Sequence, residues 1–200
     1  MMAAGASLPT GPTSATCALK KKMAAPASTC SPSTGRGWGW VRYIGVSSFP
    51  VEQMREAGQA GWIDAHQICY NLLWRYPSLL QGLLTGDMRR EPRFSSGDPL
   101  PATVYCDAGV WPWVWQAIEE MKAIASSAGR QLSQLALRWM LEGGFVASVL
   151  AGSRSRAHLK SNRTALDGVV EPGVLEGLKE ASDTVHRHIP WAGNIFKHYP

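Results

Sequence analysis

The segment Val146-Ala147-Ser148-Val149-Leu150-Ala151-Gly152-Ser153-Arg154, continuing to Asn162, constrains the fold more than any other stretch. A short apolar, β-branched run meets a small polar turn and then helix-compatible residues. That order specifies a buried strand feeding the N-terminus of a helix. The first N–H groups of a helix have no intrahelical partner and lie at the positive end of its dipole, so the junction suits a phosphate. Ser153 can donate its hydroxyl there, and Arg154 and Arg156 add charge a phosphate can use. The same residues also make an ordinary strand, turn and helix with solvated arginines. The stretch alone leaves both readings open.

The rest of the body repeats this alternation. Val41 to Val46 reads as a strand, Ser47-Ser48-Phe49 as a turn, and Pro50 as a residue of the next helix's first turn. Val51 to Ala60 reads as a helix with Met54 and Ala57 on its inner face, weakened by Gly58 and ended by Gly61. Asp64 to Tyr70 reads as a second strand with polar groups toward its C-terminal end. Strand, helix and strand within about thirty residues make a parallel crossover unit. Leu79 to Leu84 is apolar and fits either a third strand or the buried base of a loop. Residues 86–110 are rich in Gly and Pro and read as a long irregular loop. Helices are expected from Trp113 to about Ala128, with Gly129 as C-cap, and from about Leu132 to Glu142. Two more follow, over Arg156 to Leu166 and from Pro172 to about His186. The tail from Ile189 to Pro200 is irregular and aromatic, and is expected to dock on the surface.

Residues 1–40 are a different kind of sequence. They hold Lys20, Lys21, Lys22 and Arg36 and no Asp or Glu. Residues 1–37 are rich in Ala, Ser, Thr, Pro and Gly and show no hydrophobic period, so a disordered leader is expected. Three sources fit it: an organelle transit peptide, a plain disordered tail, or a misassembled leader. The compartment is accordingly cytoplasmic, or plastid or mitochondrion if the leader is a transit peptide. The domain proper is expected over 41–200.

Charge and cysteine usage narrow the function classes. The net charge of +5 comes mostly from the leader, because 16 basic residues face 15 acidic ones after residue 40. No basic stripe with interleaved aromatics stands out, so nucleic-acid binding is not expected. No apolar run reaches the ~18 residues of a membrane span. Cys17, Cys30, Cys69 and Cys106 form no C-x-x-C pair and read as reduced thiols of an intracellular protein, with no metal site.

Five ordered motifs resemble the aldo-keto reductase family. Val41 to Phe49 (VRYIGVSSF) resembles its R-Y-I-G-V-S-N-F strand, and Gln67 to Leu73 (QICYNLL) its Q-x-x-Y-N segment. Tyr76 to Gly86 (YPSLLQGLLTG) resembles Y-S-P-L-x-Q-G-L-L-T-G, and Gln134 to Trp139 (QLALRW) matches a helix of the family. Gly152 to Asn162 resembles the cofactor motif G-x-R-x-x-x-Q-x-x-E-N. The resemblance spans about residues 41–186. It implies an α/β fold, a partial (β/α)8 TIM barrel containing the C-terminal half only, with NADP(H) extended across its C-terminal face and a small carbonyl compound as substrate.

Carried over by position, the resemblance implies that Ser47 and Gln67 bind the nicotinamide carboxamide and that Tyr76 stacks on its ring. Ser78 and Leu79 would flank the pyrophosphate. Ser153 and Arg154, after Gly152, would hold the adenosine 2′-phosphate, and Asn162 the adenine. The departures are specific. The family's asparagine after the first serine is Ser48, and its glutamine and glutamate in the last motif are His158 and Ser161. Arg75 runs directly into Tyr76, where the family has a helix and most of a strand. The family's catalytic Asp, Tyr, Lys and His lie on earlier strands that find no match here, so no catalytic residue is assigned. The chain is expected to be an inactive oxidoreductase of this type or, alternatively, a non-catalytic nucleotide- or protein-binding remnant. Hydride transfer to a carbonyl needs a proton donor beside the developing alkoxide. His66 and Tyr70 read as structural. Half a barrel also leaves parallel strand edges and an apolar face uncovered, which invites self-association.

Overall fold

The computed structural model describes Ala15–Lys20, residues 43–68, 70–73 and 79–189. Tyr76, Ser78 and the Arg75–Tyr76 junction lie outside the described residues, as does the tail beyond residue 189. The elements are β1 (Ala15–Lys20), β2 (Gly45–Ser47), α1 (Val51–Ala60), β3 (Ala65–Gln67), α2 (Trp111–Ser127), α3 (Leu132–Glu142), β4 (Ser148–Ser153), α4 (Arg156–Thr164) and α5 (Pro172–His186). Three short 3-10 helices, Leu80–Thr85, Leu100–Ala102 and Val104–Cys106, fill the region between β3 and α2.

The crossover unit forms as expected. β2 and β3 pair in parallel, with Gly45 opposite Ala65 and Ser47 opposite Gln67, and α1 connects them. Asp64 Oδ2 accepts from the Ile44 N–H at 2.9 Å, which pins the ladder's entry. The strands are only three residues long, and α1 contains no buried residue, although Met54 and Ala57 are its least exposed positions. The region read as a third strand or a loop base is the latter. Leu80, Leu83 and Leu84 are buried within a 3-10 helix. Positive φ at Gly82 (100°) and Gly86 (86°) turns the chain too sharply for a strand.

The helices carry the main core. Val114, Ile118 and Met121 of α2 pack with Leu132 and Leu135 of α3, Leu178 and Val185 of α5, and the buried leucines of the 3-10 segment. Pro112 fits within the first turn of α2, so that helix begins two residues before its expected start. Gly177 lets α5 approach α2 closely, since a Cβ there would stand 3.3 Å from Ile124 Cδ1. A second cluster joins Leu137, Met140 and Leu141 of α3 to Val149 and Ala151 of β4 and to Ala165.

Among the described residues the strands make two separate two-stranded ladders, β2–β3 parallel and β1–β4 antiparallel, and no closed barrel. Residues 15–20 of the leader, expected to be disordered, form β1, whose Ala15 lies opposite Ser153 and Lys20 opposite Ser148. The physical reason is the β4 edge. Its open N–H and C=O groups supply pairing that the leader's composition cannot announce.

Tyr105 is fully buried and donates to the Leu73 carbonyl at 3.2 Å. Burial pushes its phenol far above the ordinary value of 10.0. The unfolded chain therefore releases this proton near pH 10 while the folded chain keeps it. Stability from this group is intact below pH 10 and falls above it, by at most about 1.4 kcal/mol per pH unit. Chemical-denaturation midpoints measured from pH 8 upward should fall beyond pH 10. The fall should be shallower in Tyr105→Phe; an equal fall in both proteins would refute the assignment.

Candidate functional site

β4 sets the site through the strand's alternation. Val149, Ala151 and Ser153 face inward, and Ser148, Leu150 and Gly152 face outward. This corrects the expected aim of Ser153. Its side chain is buried with 4% exposure, and its Oγ accepts from Asn162 Nδ2 at 3.1 Å. The same Nδ2 reaches the Gly152 carbonyl at 3.4 Å. A hydroxyl two residues on from Ala151 must share its inward face, whatever charge follows it.

Arg154 then turns the chain outward, and Ser155 caps α4. Ser155 Oγ accepts from the His158 N–H at 3.1 Å. A serine cap of this kind contributes about 1 kcal/mol to a helix. It occupies one of the helix's early donors and leaves those of Arg156 and Ala157 at the positive end of the dipole. The side chains of Arg154, Arg156 and His158 are all exposed around this first turn. Two cationic side chains and N–H groups without intrahelical partners at a helix start are an arrangement that can take an anion.

α4 is tied down behind that end. Gln131 and Gln134 form the capping box of α3, and Ser161 of α4 joins it. Ser161 Oγ donates to Gln131 Oε1 at 2.6 Å and accepts from Gln134 Nε2 at 3.2 Å. Arg130 donates to the Asp167 carbonyl at 2.6 Å and the Thr164 carbonyl at 3.3 Å, placing a cation at the negative end of α4.

The other residues assigned by resemblance divide into three groups. Ser47 and Gln67 are exposed neighbours at the C-terminal ends of β2 and β3, and the Ser48 N–H donates to the Gln67 carbonyl at 3.0 Å. Ser48 adopts φ 58°, a left-handed conformation that asparagine tolerates better than serine. That is a physical reason for the family's asparagine at this point. Leu79 is half-buried and packs against both core clusters. Tyr76 and Ser78 fall outside the described residues.

Tyr70 stacks on Trp139 with centroids 5.3 Å apart and meets Phe145 edge-on. Burial raises its pKa, which makes it a weaker acid. His66 Nε2 is buried without a hydrogen-bond partner among the described residues. Sequence reasoning missed a buried clamp. Asn71 Oδ1 accepts from the Leu73 N–H at 2.8 Å, while Ser182 donates to the Leu72 carbonyl and His186 Nε2 contacts the Leu73 carbonyl. Partners more than a hundred residues apart leave no local signal. No group of three metal-ligating side chains occurs among the described residues. No helix among them is long and apolar enough to cross a membrane.

The Aldo/keto reductase family model matches residues 75–182, which include α2, α3, β4, α4 and most of α5. The chain belongs to the aldo/keto reductase family. Among curated aldo/keto reductases and related enzymes, it is 27% identical over 143 residues to "Aldo-keto reductase YhdN" of Bacillus subtilis, covering 62% of this chain and 43% of that one. It is 23% identical over 168 residues to the "NADH-specific methylglyoxal reductase" of Escherichia coli, covering 74% and 51%. The chain thus spans about half the length of the curated relatives it matches. The solved structure of the glycerol dehydrogenase AKR11B4 from Gluconobacter oxydans superposes with a TM-score of 0.62 at 24% identity, over 78% of this chain and 52% of that one. That likeness concerns the fold.

Proposed function

We propose that this chain carries the adenine-nucleotide end of an NADP(H) site of an aldo/keto reductase-type oxidoreductase, whose reaction is hydride transfer between the cofactor and a small carbonyl compound or alcohol. The observation that carries the reading is the exposed cationic turn Arg154–His158 at the start of α4, backed by the buried Ser153–Asn162 hydrogen bond. The choice of NADP(H) over NAD(H) rests on Arg154 and Arg156, which suit a 2′-phosphate. Ser47 and Gln67, side by side at the ladder ends, are the proposed contacts for the nicotinamide carboxamide, with Tyr76, Ser78 and Leu79 between the two ends of the cofactor.

The chain alone is proposed to be inactive, because no residue matches the family's proton donor or its partners. The domain is proposed to begin near residue 41, with the leader preceding it. The compartment is the cytoplasm, or an organelle if the leader directs import. The outer edges of the two ladders, unpaired among the described residues, favour self-association at high concentration.

The test is thermal unfolding of the 200-residue chain with and without NADPH, alongside turnover of a generic aldehyde. A ligand that binds only the folded state raises its stability, by about 2.7 kcal/mol at a hundred times Kd. The expected result is a raised midpoint and no turnover. A cooperative transition indifferent to NADPH would overturn the nucleotide site. Measurable turnover would overturn the inactivity.

A further inference from the structure

Strand β4 is a six-residue run, Ser148 to Ser153, with no charged residue and no proline. Val149 and Ala151 face the core, whereas Leu150 is 44% exposed on the other side. A short apolar strand of this kind, left open along an edge, is a template for pairing with another copy of itself.

The leader answers that hazard. β1 pairs antiparallel with β4 along its whole length, from Ala15 opposite Ser153 to Lys20 opposite Ser148. Each β4 residue has a β1 partner, so this edge keeps no open stretch. Lys20 closes β1, and Lys21 and Lys22 follow in the sequence. Lysines on or beside an edge strand discourage the addition of further strands. β1 is joined to the body through residues 21–44. Covalent attachment holds such a strand at an effective concentration of about millimolar order, far above that of a second chain in micromolar solution.

We propose that β1 is an edge guard: the leader strand of the same chain occupies the β4 edge and keeps a second copy from pairing there. Loosening or removing the leader turns that edge into an interface between copies. The inference stands apart from the nucleotide site and needs no ligand.

The experiment first traps the docked strand in the 200-residue chain. Thr16 lies opposite Gly152. Opposed Cα atoms of an antiparallel pair stand about 4.5–5.5 Å apart, within the span of a disulfide. A Cβ at Gly152 meets nothing within 4 Å among the described residues. Thr16→Cys/Gly152→Cys is expected to close a bridge within one chain on oxidation, identified by peptide mass mapping. A bridge between two chains would overturn docking in the same chain, and no bridge would overturn the docking itself.

Sedimentation velocity over a concentration series then reads the guarding. The other ladder edges give every protein the same background, so the readout is the change. Successive N–H groups of a strand point to opposite sides, so one of Thr16 and Cys17 donates to β4. Proline removes that donor. At least one of Thr16→Pro and Cys17→Pro is expected to self-associate about tenfold more strongly than the wild-type chain, the effect of losing one ladder hydrogen bond. If neither does, the guard is overturned. If the proline variants lose the cooperative helical transition, the bridged protein decides. A protease site replacing residues 31–37 is cut with the bridge intact, and reduction then releases the leader. Self-association that rises about tenfold on reduction supports the guard, and an unchanged level overturns it.

Discussion

Replacing Arg154 with alanine is expected to weaken NADPH binding by about 10- to 100-fold while leaving NADH within about threefold. The two cofactors differ by the 2′-phosphate alone. A charge-assisted hydrogen bond contributes about 1.5–3 kcal/mol, and each 1.4 kcal/mol is tenfold in affinity. Arg154 is exposed and stands between the end of β4 and the cap of α4, so its removal leaves the helix cap and the core untouched. Titration of both cofactors against the wild-type and Arg154→Ala proteins measures the difference. Equal losses for NADPH and NADH would show that Arg154 does not engage the 2′-phosphate. A smaller loss in Arg156→Ala would fit its place one residue beyond the cap.

The second large effect concerns the helical core. Ile118 is fully buried where α2 meets the rest of the main cluster. Ile118→Ala is expected to cost about 2–5 kcal/mol, from lost burial plus the cavity left behind. That is a large part of the roughly 5–15 kcal/mol a domain commonly has. Met54→Ala on α1 removes a similar volume from a helix with no buried residue, and should cost less than about 1 kcal/mol. Denaturant titrations of the two variants should separate by several-fold. Comparable losses would mean that α1 packs more tightly than its exposure indicates.

The contrast between these helices also explains what could be read beforehand. The bounds of α1, α3 and α5 agree with the sequence reading because local chemistry marks their ends: Pro50 and Gly61 for α1, the Gln131–Gln134 box and Gly143 for α3, and Pro172 at the start of α5. Strands are defined by partners. Val41–Val46 and Asp64–Tyr70 read as longer strands than the ladder that β2 and β3 form, because a β-rich run says nothing about where pairing stops. β1 was illegible for the same reason, since its partner lies more than a hundred residues away. Within the site, the chemistry of Arg154 and the helix start was legible from residue type and order. The inward turn of Ser153 and the commitment of Asn162 and Ser161 were not, because motif spacing records neighbours along the chain and not the direction of a side chain.

The thin β2–α1–β3 unit has a consequence for any long ligand. Proteins open in cooperative pieces whose free energies track their buried contacts. A three-residue ladder and a helix without buried residues belong at the low end of that range, while α2, α3 and α5 hold the high end. Amide protons in this unit should therefore exchange through openings that leave the helical core intact. A ligand gripping Arg154 alone would meet a turn whose helix is tied to α3 through Ser161. One that also engaged Ser47 and Gln67 would have to freeze a segment that melts on its own, and part of its binding energy would be consumed in that freezing.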